Sequence, residues 1–138
     1  MDRTKRQALQ LGVVGGAALL LGNQALAGTS RTAGPVIFDP TVTTLVNVLT
    51  CDPANQAALI GVLRESTDTV ITTLDGWRST SFVAAQDGTH VTIISQWRDA
   101  AAVRAMLGDE RMKPHFTKVA ALATVDSVMG SVAYARHA

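Results

Sequence analysis

Between Gly76 and Trp97 the chain reads Gly-Trp-Arg-Ser-Thr-Ser-Phe-Val-Ala-Ala-Gln-Asp-Gly-Thr-His-Val-Thr-Ile-Ile-Ser-Gln-Trp. Two β-rich runs flank Asp87-Gly88, a pair favoured in two-residue hairpin turns because both central residues tolerate positive φ. The stretch therefore predicts an antiparallel hairpin, and the segments on either side must supply its remaining strands and its cover. Upstream, from Thr41, Val42, Thr44, Val46 and Val48 alternate with Thr43, Leu45, Asn47 and Leu49, a β-branched run of period two. Asp52-Pro53 suits a helix N-cap and first turn. Leu59, Val62, Leu63, Val70, Ile71 and Leu74 then recur at helical spacing up to a stop at Asp75-Gly76. After the hairpin, Asp99 caps a helix over Ala100–Leu107 that stops at Gly108. A further helix covers Arg111–Leu122, with Pro114 tolerated in its first turn. Thr124 to Arg136 is β-like again, with Val128, Val132 and Tyr134 on one side.

The order is β-α-β-β-α-β with a split second helix, an α+β chain of ferredoxin-like plan with a four-stranded antiparallel sheet. Its helices cover one face. The other carries Val42, Val46, His90, Thr92 and Ile94 or their opposite-parity neighbours, too apolar a surface for water, and a symmetric partner is expected on it.

The amino end reads as an export signal. Asp2-Arg3-Thr4-Lys5-Arg6 is basic, Ala8–Leu21 is a 14-residue apolar stretch, and Ala25 and Ala27 form an Ala-x-Ala site. A spanning helix needs about 20 residues, so cleavage near Ala27 is expected rather than anchorage, with membrane contact only through the uncleaved segment. Thr4-Lys5-Arg6-Gln7-Ala8-Leu9 also resembles a twin-arginine signal with Lys for the first Arg. Residues 28–40 are small, polar and proline-punctuated, a lead-in to one domain over 41–136.

Charge and cysteine content narrow the partners. Of 12 basic and 11 acidic residues the leader holds three and one, which leaves 9 against 10, a net charge of −1. No basic field remains to attract nucleic acid or anionic lipid. The single Cys51 cannot staple the domain and reads as a small hydrophobe at a strand end. There is no Gly-rich phosphate loop and no His-Glu-x-x-His, and no metal site is expected. A pocket between sheet and helices is the default site. Trp97, on the same strand face as Ile93 and Ser95, offers a flat apolar wall and one N–H donor, or else packs the core. His115 has the pKa range for proton transfer near neutrality, or else is a partly exposed helical histidine. Asn47 is a poor strand residue and either aims a donor into the pocket or satisfies a neighbouring backbone group. Trp77 reads as structural. His90 is expected at the surface or at the seam of a dimer.

A Gly-aromatic-x-Ser strand, an Asp-Gly-Thr turn and a strand closing on Gln-Trp resemble the antibiotic biosynthesis monooxygenase family, across essentially all of 41–136. The resemblance implies a homodimeric α+β barrel that pairs two sheets. It implies oxidation of an aromatic or polyketide-like molecule by O₂ to a quinone, with no flavin, metal or other cofactor. His115 would manage protons, Trp97 would stack on the ring, Asn47 would bind an oxygen, and Ile93, Ser95, Val83 and Val103 would line the pocket. Ile93, Ile94, Val83 and Val103 stand where relatives often carry polar groups, so a drier pocket is expected. The alternative is an exported, non-catalytic binding module for a small molecule. Asn47, Trp97 and His115 also resemble a placement in the haem-degrading branch of the superfamily, which makes haem one such ligand.

Overall fold

The computed structural model describes residues 35–138; the expected leader at 1–27 and the first part of the 28–40 lead-in lie outside the described residues. The elements are β1 (Thr43–Cys51), α1 (Gln56–Thr69), β2 (Trp77–Ala84), β3 (His90–Trp97), α2 (Ala100–Leu107), α3 (Lys113–Leu122) and β4 (Ala123–Gly130). The sheet runs β2-β3-β1-β4 with every neighbouring pair antiparallel, the ferredoxin-like order. Leu45, Leu49, Val91 and Trp97 project from the two central strands into the core beneath the helices. Two apolar clusters form there. One gathers Leu49, Leu59, Leu63 and Val91 under α1. The other gathers Leu45, Val70, Trp97, Val103, Met106 and Met112 at the α2 end.

Local chemistry accounts for the element ends. Asp52 accepts from the Ala54 N–H at 2.8 Å and Asp99 from the Ala102 N–H at 2.9 Å, each satisfying an amide that a helix start leaves free. The first helix is shorter than its apolar spacing predicts. It ends at Thr69, and Ile71–Thr73 form a 3-10 turn. Thr67, Thr69 and Thr73 lie in a β-branched run and turn their hydroxyls onto the carbonyls of Leu63, Glu65 and Val70, a local bonding that competes with helix continuation. Val70 is core all the same, and Ile71 and Leu74 pack against it from the turn. The third helix likewise begins two residues late, at Lys113, behind a 3-10 turn over Glu110–Met112.

The hairpin connection is also wider than Asp87-Gly88. It spans 85–89, with the Gly88 N–H on the Ala85 carbonyl at 3.0 Å and Thr89 bonded through N–H and hydroxyl to the Asp87 carboxylate. Gly88 takes φ +81°, and a Cβ there would meet Pro53 Cβ at 2.9 Å. Cys51 ends β1 beneath this loop, its thiol on the Gly88 carbonyl at 3.4 Å, as a strand-end packing residue. β4 stops at Gly130, so Val132 and Tyr134 lie beyond the strand.

On the far side of the sheet Gln96 is buried because its amide clamps the lead-in: Oε1 accepts from the Asp39 N–H at 2.9 Å, and Nε2 donates to the Asp39 carbonyl and to Thr44. Elsewhere that face is open, with Val128 68% exposed.

Candidate active site

A cavity of about 250 Å³ lies between the sheet and the helices, bounded by both apolar clusters. Register sets its floor. One row across the sheet is Thr80, Ser95 and Leu45; the next is Phe82, Ile93, Asn47 and Ser127. α1 contributes Leu63, Ser66 and Thr67, and α3 contributes His115, Phe116 and Val119. Exposed Leu107, Phe116 and Val125 form an apolar rim.

The structure brings Asn47, Ile93, Ser95, Trp97 and His115 together in this lining. Trp97 is 1% exposed and belongs to the core as well as to the wall. Its indole N–H is committed to Ser95 Oγ at 3.0 Å, which fixes the ring in the core behind Ser95. Asn47 Oδ1 accepts from the Ser127 hydroxyl across the β1–β4 pair, which fixes the amide and leaves its NH₂ group for the cavity. His115 is half-buried, and its Nδ1 is fully buried with no hydrogen-bond partner among the described residues. Such an atom is costly unless something else meets it.

Two expected lining residues are elsewhere. Val83 follows Phe82 on the edge strand, so strand alternation turns it to the open face, where it is 56% exposed. Val103 is 1% exposed but packs on α2 against the Trp97–Leu45 cluster, outside the cavity lining; Met106 and Leu107 are the α2 residues that reach the cavity. His90 starts β3 half-buried, its Nδ1 beside the Thr89 hydroxyl at 2.8 Å, away from the cavity.

Sequence reading missed Thr80, Phe82, Ser127, Ser66 and Thr67. Phe82 and Ser127 were within reach, since period two from Ile93 and Asn47 fixes their rows once pairing is known. Thr80 follows from Ser95 by the same step, whereas a count from Trp77 misplaces it. The register shifts between Trp77 and Ser79, so Trp77 and Thr80, three apart, meet through an indole N–H to hydroxyl bond of 2.9 Å.

The lining is electrostatically plain. His115 is its one titratable side chain, and no Lys, Arg, Asp or Glu is among the described lining residues. Nor do three His, Cys, Asp or Glu side chains converge as metal ligands anywhere among the described residues. The shifted acids are on the surface. A Thr89 hydroxyl bond holds Asp87 below the ordinary carboxylate range, and the Ala102 amide and then Arg98 do so for Asp99. The site can therefore hold an apolar, planar molecule, offer it neutral hydrogen bonds and move one proton.

Comparison with known proteins bears on the family and the fold. The model of a family described as antibiotic biosynthesis monooxygenase matches residues 43–121. A tetracenomycin-F1 monooxygenase from Streptomyces glaucescens is 39% identical over 77 residues, 56% of this chain and 69% of that one. The crystal structure of the monooxygenase ActVA-Orf6 of Streptomyces coelicolor, in complex with nanaomycin D, superposes with TM-score 0.65 at 25% identity, covering 72% of this chain and 96% of that chain. SnoaB, a cofactor-independent oxygenase from Streptomyces nogalater, shares the fold with TM-score 0.58 at 22% identity, over 67% and 94% of the two chains.

Proposed function

The chain belongs to the antibiotic biosynthesis monooxygenase family, an oxidoreductase by that membership, and on that premise we propose that its cavity oxidises an acidic hydroxy-arene or anthrone to a quinone with O₂ and no cofactor. The observation that carries this reading is the placement of His115 as the one ionisable side chain in a cavity lining that holds no Lys, Arg, Asp or Glu among the described residues. A proton acceptor beside an aromatic wall is what a substrate-driven oxidation requires, because the substrate anion itself reduces O₂. The relatives named for tetracenomycin F1 and bound to nanaomycin D support a small-molecule substrate of this kind.

His115 accepts the acidic proton of the substrate. The resulting anion passes one electron to O₂, and the two radicals join as a peroxide on the ring carbon. His115 returns its proton as the O–O bond breaks, the carbon loses its remaining hydrogen, and a carbonyl and water result. Ring CH₂ plus O₂ gives C=O plus H₂O, so one oxygen atom enters the product. Trp97 backs the substrate site from the core, Ile93 and Phe82 exclude water, and the Asn47 NH₂ group donates to a substrate oxygen.

The open sheet face, with Val46, Ile94 and Val128, is the proposed seam of a homodimer. Export with cleavage after Ala27 is proposed from the leader alone, and the mass of secreted material, starting at Gly28, checks it.

An oxygen electrode with a panel of hydroxy-arenes tests the chemistry. His115→Ala should lower kcat by roughly 10²-fold, the ordinary share of a general acid–base group. Arene binding without O₂ uptake from any of them would leave a binding module instead.

A further inference from the structure

We propose that Thr80 and Ser95 form a two-hydroxyl site that holds the ionised oxygen of the substrate; the inference rests on the hydroxy-arene reading of the cavity and names the group that stabilises its anion. The two residues are direct cross-strand partners on β2 and β3, and both line the cavity. Side chains so paired have Cβ atoms about 4.5–5.5 Å apart, close enough for both hydroxyls to reach one oxygen atom.

Each hydroxyl is polarised from behind by a tryptophan. Trp77 Nε1–H donates to Thr80 Oγ1 at 2.9 Å, and Trp97 Nε1–H donates to Ser95 Oγ at 3.0 Å. An indole N–H only donates, so each hydroxyl oxygen is an acceptor in its bond and keeps its own proton. Neither proton has an acceptor among the described residues. Accepting one bond strengthens a hydroxyl as a donor of the next. The bulge between Trp77 and Ser79 is what lets the first of these bonds form, so backbone irregularity and side-chain chemistry converge on the same spot.

The rest of the cavity leaves the task to this pair. With no Lys or Arg among the described lining residues, an anionic oxygen out of reach of His115 must be met by neutral donors. The hydroxyls of Ser66 and Thr67 are spent on the Leu63 carbonyl, and that of Ser127 on Asn47. His115 is reserved for the proton. What remains is the Thr80–Ser95 pair and the Asn47 amide. Leu45 pairs with Ser95, which places Asn47 on the diagonal from Ser95, about 7–8 Å away. Two donor sites so spaced fit an arene with oxygen functions on opposite sides of a ring, the ionised one on the hydroxyl pair and the other on Asn47.

The probe is 1-naphthol, bound anaerobically and titrated by its absorbance, with 1-methoxynaphthalene as a control that cannot ionise. Two hydrogen bonds to a charged oxygen should lower the ionisation pH of bound naphthol by about one unit each. Thr80→Val and Ser95→Ala should each lose roughly tenfold in the ionisation constant, and the double variant roughly a hundredfold. Thr80→Ser, which keeps the hydroxyl, should retain the wild-type value, and affinity for the methyl ether should not change. Repeating the measurement in His115→Gln removes the one ionisable side chain among the described lining residues. Identical ionisation in wild type and double variant overturns the proposal, as does a parallel loss of methyl ether affinity. A wild type that binds neither arene overturns both this site and the hydroxy-arene reading. A shifted naphthol that consumes no O₂ when air is admitted sustains the hydroxyl pair and removes the oxidation.

Discussion

Replacing Trp97 by Phe separates wall from core. Trp97 is 1% exposed and its N–H is bonded to Ser95 at 3.0 Å. Phe keeps a six-membered ring but loses roughly 40–50 Å² of buried apolar surface, about 1 kcal/mol at 25 cal/mol per Å². The lost hydrogen bond contributes about 1 kcal/mol more. A total of about 2 kcal/mol, with a urea m-value near 2 kcal/mol/M, lowers the urea midpoint by about 1 M. Equilibrium unfolding at one fixed protein concentration, followed by circular dichroism, measures it. Ser95→Ala made in the Trp97→Phe background should cost about 1 kcal/mol less than it does alone, because the shared bond is already gone. A midpoint within about 0.2 M of wild type, measured with the m-value unchanged, refutes a tightly packed, hydrogen-bonded indole.

Gly88→Ala should destabilise by about 1–3 kcal/mol, since its φ of +81° and the 2.9 Å approach to Pro53 both oppose a Cβ; an unchanged melting temperature contradicts that loop geometry. Asp39, Asp87, Asp99 and Asp109 are all held below their ordinary value of 3.8, chiefly by hydrogen bonds from Thr41, Thr89, Ala102 and Arg111. Carboxylates depressed by folding add stability above the unfolded value, and it is lost as pH falls through their folded values. Thermal stability should therefore be level from neutrality to about pH 5 and fall below about pH 4, and a rise on acidification refutes the assignment. Sedimentation at micromolar concentration should give twice the monomer mass, and Val128→Asp on the open face should give a folded monomer; a wild-type monomer removes the barrel.

Where sequence and structure agree, the signal is local and chemical. The alternation around Asn47, the caps at Asp52 and Asp99, Pro114 in the first helical turn and the stop at Gly108 each act over a few residues, and each holds. Differences arise where a count must be carried along the chain. Val70, Ile71 and Leu74 keep helical spacing beyond the true end of α1, because apolar spacing is blind to threonines that bond their own preceding turn. The family resemblance places Val83 in the cavity, but the pairing of Phe82 with Ile93 settles the face and turns Val83 away. A count from Trp77 misplaces Thr80, because a single extra residue near Arg78 reverses the parity on which strand faces are read. Trp97 and His115 were legible as types suited to the chemistry, whereas the commitment of the indole N–H to Ser95 and the isolation of His115 Nδ1 are facts of packing.

The central claim is that the substrate, bound against Trp97 and deprotonated by His115, reduces O₂ unaided. The most direct measurement is turnover of anthrone under ¹⁸O₂ by purified protein shown by absorbance to carry no flavin or haem and treated with a metal chelator. The account predicts an anthraquinone-type product bearing one ¹⁸O atom, with the second in water, and a labelling rate that drops roughly 10²-fold in His115→Ala. Unlabelled product, a rate equal to that of the uncatalysed reaction, or turnover that starts only when flavin or metal is added would contradict it.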